Sequence, residues 1–140
     1  DSRVILDFLE RQSDKFLFPE TGSFRDLALT QAALAEGIID SAILWVYADR
    51  FSGHQPVPEL WRSHHLQKIK RGCDYLEQHI YRWAPNQPYA GSSIALATCI
   101  GYLSFRNVYN WSKNRPQLQN WYDKQATTLS GFRSTMPNAN

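Results

Sequence analysis

The stretch SSIALATCIGYLSF, residues 92–105, restricts the possible folds of this chain more than any other part of it. At helical spacing it is apolar nearly all the way round, so a helix made from it has no face to offer water. Such a helix belongs at the centre of a bundle, and the other elements must be arranged to cover it. Gly101 within it costs about 1 kcal/mol of helix propensity against alanine, which points to a close approach by a neighbouring helix. Ser92 or Ser93 caps its start. The reciprocal carboxylate of a capping box is missing, because Leu96 stands three residues after Ser93.

The rest of the chain supplies helices to surround it. Asp1 and Ser2 are capping residues, and Val4, Ile5, Phe8 and Leu9 follow along one helical face. LFPETGS, with Pro19 and Gly22, reads as a linker. A long helix is expected over SFRDLALTQAALAEGIIDSAILWVYADRF, started by a capping box of Ser23 and Asp26, with Leu27, Leu34, Ile38, Trp45 and Val46 near one stripe. GHQPVP ends it. A third helix runs from about Glu59 to Arg82 on a seam of Leu66, Ile69, Cys73, Leu76 and Ile80, and WAPNQPYAG breaks the chain again. A fifth helix begins at RPQLQNWYDKQ, where Pro116 suits the first turn because its missing N–H loses no bond there. The tail SGFRSTMPNAN is rich in turn-formers. No alternation of apolar and polar residues persists long enough for a sheet. The fold class is all-α.

Composition narrows the function classes. The 140 residues carry a formal charge of +2, too little to imply a nucleic-acid or membrane partner. The basic run HHLQKIKR at 64–71 reads as a solvated helix face. No uninterrupted apolar run reaches the length of a membrane span. Cys73 and Cys99, far apart in helical patterns, read as buried thiols of a reducing cytoplasm. There is no Gly-rich phosphate loop, CxxC, HExxH or GxSxG. His64 and His65 are adjacent and diverge on a helix, and His54 and His79 lack a partner at ligand spacing, so no metal site is expected.

The order of segments says more than any local motif. LALTQAALAEGIIDSAILW, IKRGCDYLEQHI, IALATCIGYLSFR and RPQLQNWYDKQATTLSGFRSTMP together resemble the all-helical C-terminal domain of cytosolic glutathione transferases, most like their bacterial branch. The likeness covers essentially the whole chain. It implies that residues 1–18 are the last helix of a thioredoxin-like domain with the start of the linker, and that 19–140 form the helical domain. The first helix would then have packed on a sheet that these residues do not include.

The resemblance also implies a function: conjugation of the glutathione thiolate to apolar electrophiles, in detoxification, by a cytoplasmic homodimer built on the second and third helices. Glutathione is a co-substrate, and no cofactor or metal is implied. Asp1 and Ser2 would grip the γ-glutamyl end. A helix N-terminus, with free N–H groups and partial positive charge, seats its carboxylate, and Asp1 pairs with its ammonium group. Glu36 and Asp40 share a helix face. In dimeric relatives the residue matching Asp40 reaches glutathione across the subunit interface; plain helix capping and a surface ion pair are the alternatives for these positions. Val46 and Arg50, one turn apart, border the family's acceptor pocket. Tyr102 and Arg106 are explained adequately by burial and by the negative end of their helix. The catalytic Ser, Tyr or Cys is expected in the thioredoxin-like domain, as is the cis-proline that holds glutathione's backbone. These 140 residues are accordingly expected to be inactive alone. The alternative is a non-catalytic dimerisation or docking module of the same fold.

Overall fold

In a computed structural model, residues 1–14, 16–53, 55–82, 91–128 and 131–137 are described, the side chains of 125–127 and 133 excepted. The elements are α1 (Ser2–Arg11), α2 (Ser23–Phe51), α3 (Glu59–His79) with a 3-10 turn Ile80–Arg82, α4 (Gly91–Arg106), α5 (Pro116–Thr128) and a second 3-10 turn Arg133–Thr135. No strand occurs among the described residues. The all-α expectation therefore holds, and the expected third helix to Arg82 tightens into 3-10 geometry for its last three residues. The WAPNQPYAG break, apart from Gly91, and the last residues of the tail lie outside the described residues.

α4 is the central element. Leu96, Ala97, Cys99, Ile100 and Leu103 have no exposed surface. α2 lies along it more extensively than any other pair of helices meets, and α3 and α5 complete the bundle. The approach of α2 is made by small side chains, Ala32, Ala35, Ser41 and Ala42, whose burial brings the two backbones together. The Ser41 hydroxyl donates to the Gly37 carbonyl at 2.9 Å, so its burial leaves no unpaired polar group. Ile69 and Leu76 from α3 and Leu118 from α5 fill the core, each contributing about 1.5–3 kcal/mol through burial. Apolarity all round did not mean burial all round: Thr98 and Phe105, on one stripe of α4, are exposed.

Three further expectations change. The capping box at Ser23 does not form. Gly22, with φ of 82°, occupies the cap position, and no side-chain bond caps α2. α4 begins at Gly91, so Ser92 and Ser93 sit within its first turn. Gly101 is not a close-approach site: a Cβ there would meet the Tyr122 hydroxyl at 3.6 Å and Phe132 at 3.7 Å, ordinary contact. Close approach happens instead at Gly72, where a Cβ would lie 2.6 Å from Ile38, and at Gly91, 2.5 Å from the Phe18 ring.

α2 also corrects the reading of apolar runs. An eighteen-residue window within it has mean hydropathy 1.4, long and apolar enough by composition to cross a membrane. Counting uninterrupted runs missed it because Glu36 and Asp40 divide the apolar sequence. The helix spends its apolar side chains on α4 and α3. Both cysteines are free and buried, and burial pushes the Cys73 thiol up to about 12.

The linker is pinned rather than loose. Glu10 accepts the Phe18 N–H at 3.1 Å, the Gly91 N–H donates to the Leu17 carbonyl at 2.9 Å, and Arg25 donates to the Pro19 carbonyl at 2.7 Å. These bonds fix α1 beside the starts of α2 and α4, which sets the geometry of the site.

Candidate functional site

α1 begins where its sequence says it should. Asp1 is the cap residue, and its Oδ1 accepts the Arg3 N–H at 2.8 Å. Ser2 is the first helical residue and is exposed, so its hydroxyl and the uncapped N–H groups of the first turn face outward. The adjacent Arg3 side chain crosses to α2 and forms an ion pair with Glu36. The pairing raises the Arg3 pKa above its ordinary value, and the charge of Asp40 adds to it. Arg3 thus connects the two predicted groups: Asp1 holds its backbone N–H, and its guanidinium pairs with Glu36 and feels the charge of Asp40. Arg3 is the residue that sequence reasoning passed over. The signal available was a basic residue one place after Ser2, but a helix surface carries many such residues.

Below this cluster runs a crevice of about 360 Å³ between α1, α2 and the start of α4. Arg3, Asp7, Glu10, Phe18, Leu29 and Glu36 are among its lining residues. α1 buries no residue completely. Its other face presents Val4, Ile5, Phe8 and Leu9, each more than half exposed. A contiguous row of four large apolar side chains marks a surface made to be covered.

The acceptor-pocket candidates are less sharply placed. Val46 is half-buried and packs against the core, while Arg50 is exposed with its guanidinium 5.6 Å from the Tyr47 ring centre. Neither is among the residues that line the crevice beside α1 or the two apolar hollows that follow. Two apolar hollows lie elsewhere. One, of about 500 Å³, is formed where α2 ends and α3 begins, by Leu44, Tyr47, Phe51, Val57 and Trp61. The other, of about 200 Å³, lies on the uncovered stripe of α4, between Thr98, Tyr102 and Phe105 and the tail residues Phe132 and Met136. Arg106 stacks on both Tyr102 and Phe105, at 5.8 and 4.8 Å, while standing in the last turn of α4. Tyr102 is half-buried.

Among the described residues no cluster of His, Cys, Asp or Glu could hold a metal ion. The His64 and His65 rings meet edge to face at 5.2 Å, and His79 stacks on Tyr75 at 4.1 Å. His54 lies outside the described residues.

A scan against models of protein families finds no match. A curated relative does match: the uncharacterized GST-like protein YibF of Escherichia coli K12 is 32% identical over 143 residues, covering 99% of this chain and 70% of the relative. The chain belongs to the glutathione transferase family. Solved structures agree. A family member from Pseudomonas fluorescens Pf-5 with bound glutathione superposes with a TM-score of 0.89 at 34% identity, over 99% of this chain and 67% of its own. Its form with bound S-(propanoic acid)-glutathione gives a TM-score of 0.87 at 33% identity, over 99% and 71%. A glutathione S-transferase from Methylobacillus flagellatus KT, with glutathione bound, gives a TM-score of 0.87 at 25% identity, over 99% of this chain and 69% of its own. In these transferase structures glutathione is a substrate, and the helical domain seen here is of the type that forms their C-terminal part.

Proposed function

We propose that this protein is a glutathione transferase that adds the glutathione thiolate to apolar electrophiles, in cytoplasmic detoxification. The observation that carries the reading is the start of α1. An exposed helix N-terminus bears Ser2, with Asp1 beside it, in a fold that superposes on glutathione-bound transferases. The γ-glutamyl carboxylate lies against the first-turn N–H groups and the Ser2 hydroxyl, and Asp1 receives the ammonium group. Asp40 serves the site of the partner subunit in a homodimer formed through α2 and α3, and Val46 and Arg50 border the acceptor pocket.

Residues 1–18 act as the last helix of a thioredoxin-like domain, and residues 19–140 as the helical domain. The thiolate-stabilising Ser, Tyr or Cys belongs to the thioredoxin-like half. Free thiols have a pKa near 8.5, so a group that lowers it raises the fraction of nucleophile at neutral pH. Activity is therefore proposed for the protein in which the two halves are joined, and the α1 face of Val4, Ile5, Phe8 and Leu9 is the seam between them.

Calorimetric titration of that protein with glutathione tests the reading. Ser2→Ala should weaken binding about tenfold, as expected for one lost hydrogen bond to a charged group, with unfolding temperature unchanged. Absence of glutathione binding to the unaltered protein would favour a non-catalytic docking module instead.

A further inference from the structure

α2 and α3 form an antiparallel hairpin whose two halves differ in how they are held. Below, Ile38 packs into the space at Gly72, and Ile69, Cys73 and Leu76 are completely buried. Above, the last buried residue of α2 is Ala42, and the first buried residue of α3 is His65. Among the described residues beyond these two, every side chain of the tip is half-buried or exposed, including Phe51 at 73%, Leu60 at 82% and Trp61 at 45%. α3 starts at the cap residue Pro58 with no side-chain cap, and its first turn is tied to α2 through Arg62, which pairs with Asp49 and lies 5.4 Å from the Trp45 ring centre. The outermost buried side chain of the seam is thus an imidazole, and the contacts beyond it, Trp45 and Val46 against the core and Arg62 with Asp49, are partly exposed.

His65 is an unusual choice for that place. It is 4% exposed, and neither of its ring nitrogens has a hydrogen-bond partner among the described residues. Its ring packs on Trp61 at 4.5 Å between centres, and Trp61 in turn lines the apolar groove at the tip. An unpaired neutral imidazole in such a site is tolerable; an unpaired imidazolium is costly. The charged groups around it oppose a second positive charge. Burial is the main reason the His65 pKa falls below its ordinary 6.5, and repulsion from His64 and Lys68 on its own helix adds to it. On the packed face of α2 the acidic residue of the tip is Asp49, and Arg62 already holds it.

We infer that His65 is an acid-responsive bolt for the tip of the hairpin: on gaining a proton its ring leaves the seam, carrying Trp61 with it, and releases α2 beyond Ala42 and α3 before His65 while the core below stays packed. The released portion contains the apolar groove and also Val46 and Arg50. The start of α1 and Asp40 lie outside it. Acid would therefore remodel the acceptor side and leave the glutathione side in place; that consequence rests on the transferase reading, whereas the bolt does not.

Nuclear magnetic resonance of the whole protein, following the histidine ring protons from pH 8 to pH 5, tests the inference, with His65→Gln assigning the signal. Tryptophan emission over the same range reports the tip, and Trp61→Phe identifies the part due to Trp61. The expected result is a His65 midpoint below 6.5 with the Trp61 emission changing at the same pH, a change absent in His65→Leu and retained in His64→Gln. A His65 midpoint at or above 6.5 would overturn the inference. So would a Trp61 change that follows His64, or a His65 ring that stays neutral until the entire chain unfolds. The ring titration is read in the unaltered protein, so it decides even where His65→Leu fails to fold.

Discussion

Glycine 72 and glycine 101 sit in neighbouring helices and look equivalent in sequence, yet the same methyl group should act on them in opposite directions. At Gly72 a Cβ would lie 2.6 Å from both Cγ1 and Cδ1 of Ile38, a side chain that is 2% exposed and has no room to retreat. Gly72→Ala is expected to destabilise by about 1–2 kcal/mol, overpacking outweighing the gain in helix propensity. At Gly101 the nearest atoms are at 3.6 and 3.7 Å, so propensity decides, and Gly101→Ala should stabilise by about 0.5–1 kcal/mol. Urea unfolding of the two variants checks both signs. The comparison also shows why the sequence pointed to the wrong glycine. Gly101 stands in an apolar run and suggests close packing, while Gly72 stands among Arg71, Cys73 and Asp74, and only the position of Ile38 reveals its role.

At the scale of elements, α5 is attached to α3 by charge as much as by burial. Glu77 of α3 accepts the N–H groups of Gln117 and Leu118, at 3.2 and 2.8 Å, and so caps a helix remote from it in sequence. Glu77→Ala should cost about 1–2 kcal/mol, measured by thermal unfolding, because two first-turn donors lose their partner and the helix loses a favourable charge. Next to it, Arg115 is 5% exposed and donates to Asp74 at 2.6 Å, to the Tyr109 hydroxyl at 2.9 Å and to the carbonyls of Trp111 and Lys113. The bond from Arg115 holds the Asp74 carboxyl below its ordinary 3.8, with Lys70 assisting. A depressed carboxyl contributes stability above its unfolded value and loses it as pH falls through the folded one. Acid titration should therefore show two steps: one starting below 6.5 from His65, and a second below 3.8 that Asp74→Asn removes. A single step common to His65→Leu and Asp74→Asn would contradict this assignment. The sequence reading placed Pro116 correctly at the start of α5, and the structure supplied the cap, which no local spacing could show.

For the molecule as a whole, the uncovered surfaces are the informative ones. α1 presents Val4, Ile5, Phe8 and Leu9, and the α2–α3 hairpin presents Leu44, Tyr47, Phe51 and Trp61, all at least 40% exposed. These are two separate apolar faces. On the proposed function the first is the domain seam and the second part of the subunit contact, which gives them different predictions. Tyr47→Glu should convert a dimer into monomers in sedimentation experiments and weaken glutathione binding by about tenfold as well, since the Asp40 that reaches the site from the partner subunit is lost with the contact. The 140 residues expressed alone should self-associate through α1, and replacing Phe8 and Leu9 with serine should restore a monodisperse preparation. A monodisperse unaltered preparation would count against the seam.

What the sequence determined by itself was the helical class, the position of the buried helix at 92–105, the helix start at Asp1 and Ser2, and the family. Each of these depends on spacing within a short stretch, or on the order of such stretches along the chain. The tertiary structure decided the rest: which glycine makes the close contact, that Arg3 pairs with Glu36 across from α1 to α2, that Glu77 caps α5, and that His65 is the outermost buried side chain of the α2–α3 seam. Those facts depend on atoms brought together from positions up to 41 residues apart. Side chains far apart in sequence acquire their chemistry only from the neighbours that packing gives them, and a helical pattern specifies which face is buried without specifying what it meets.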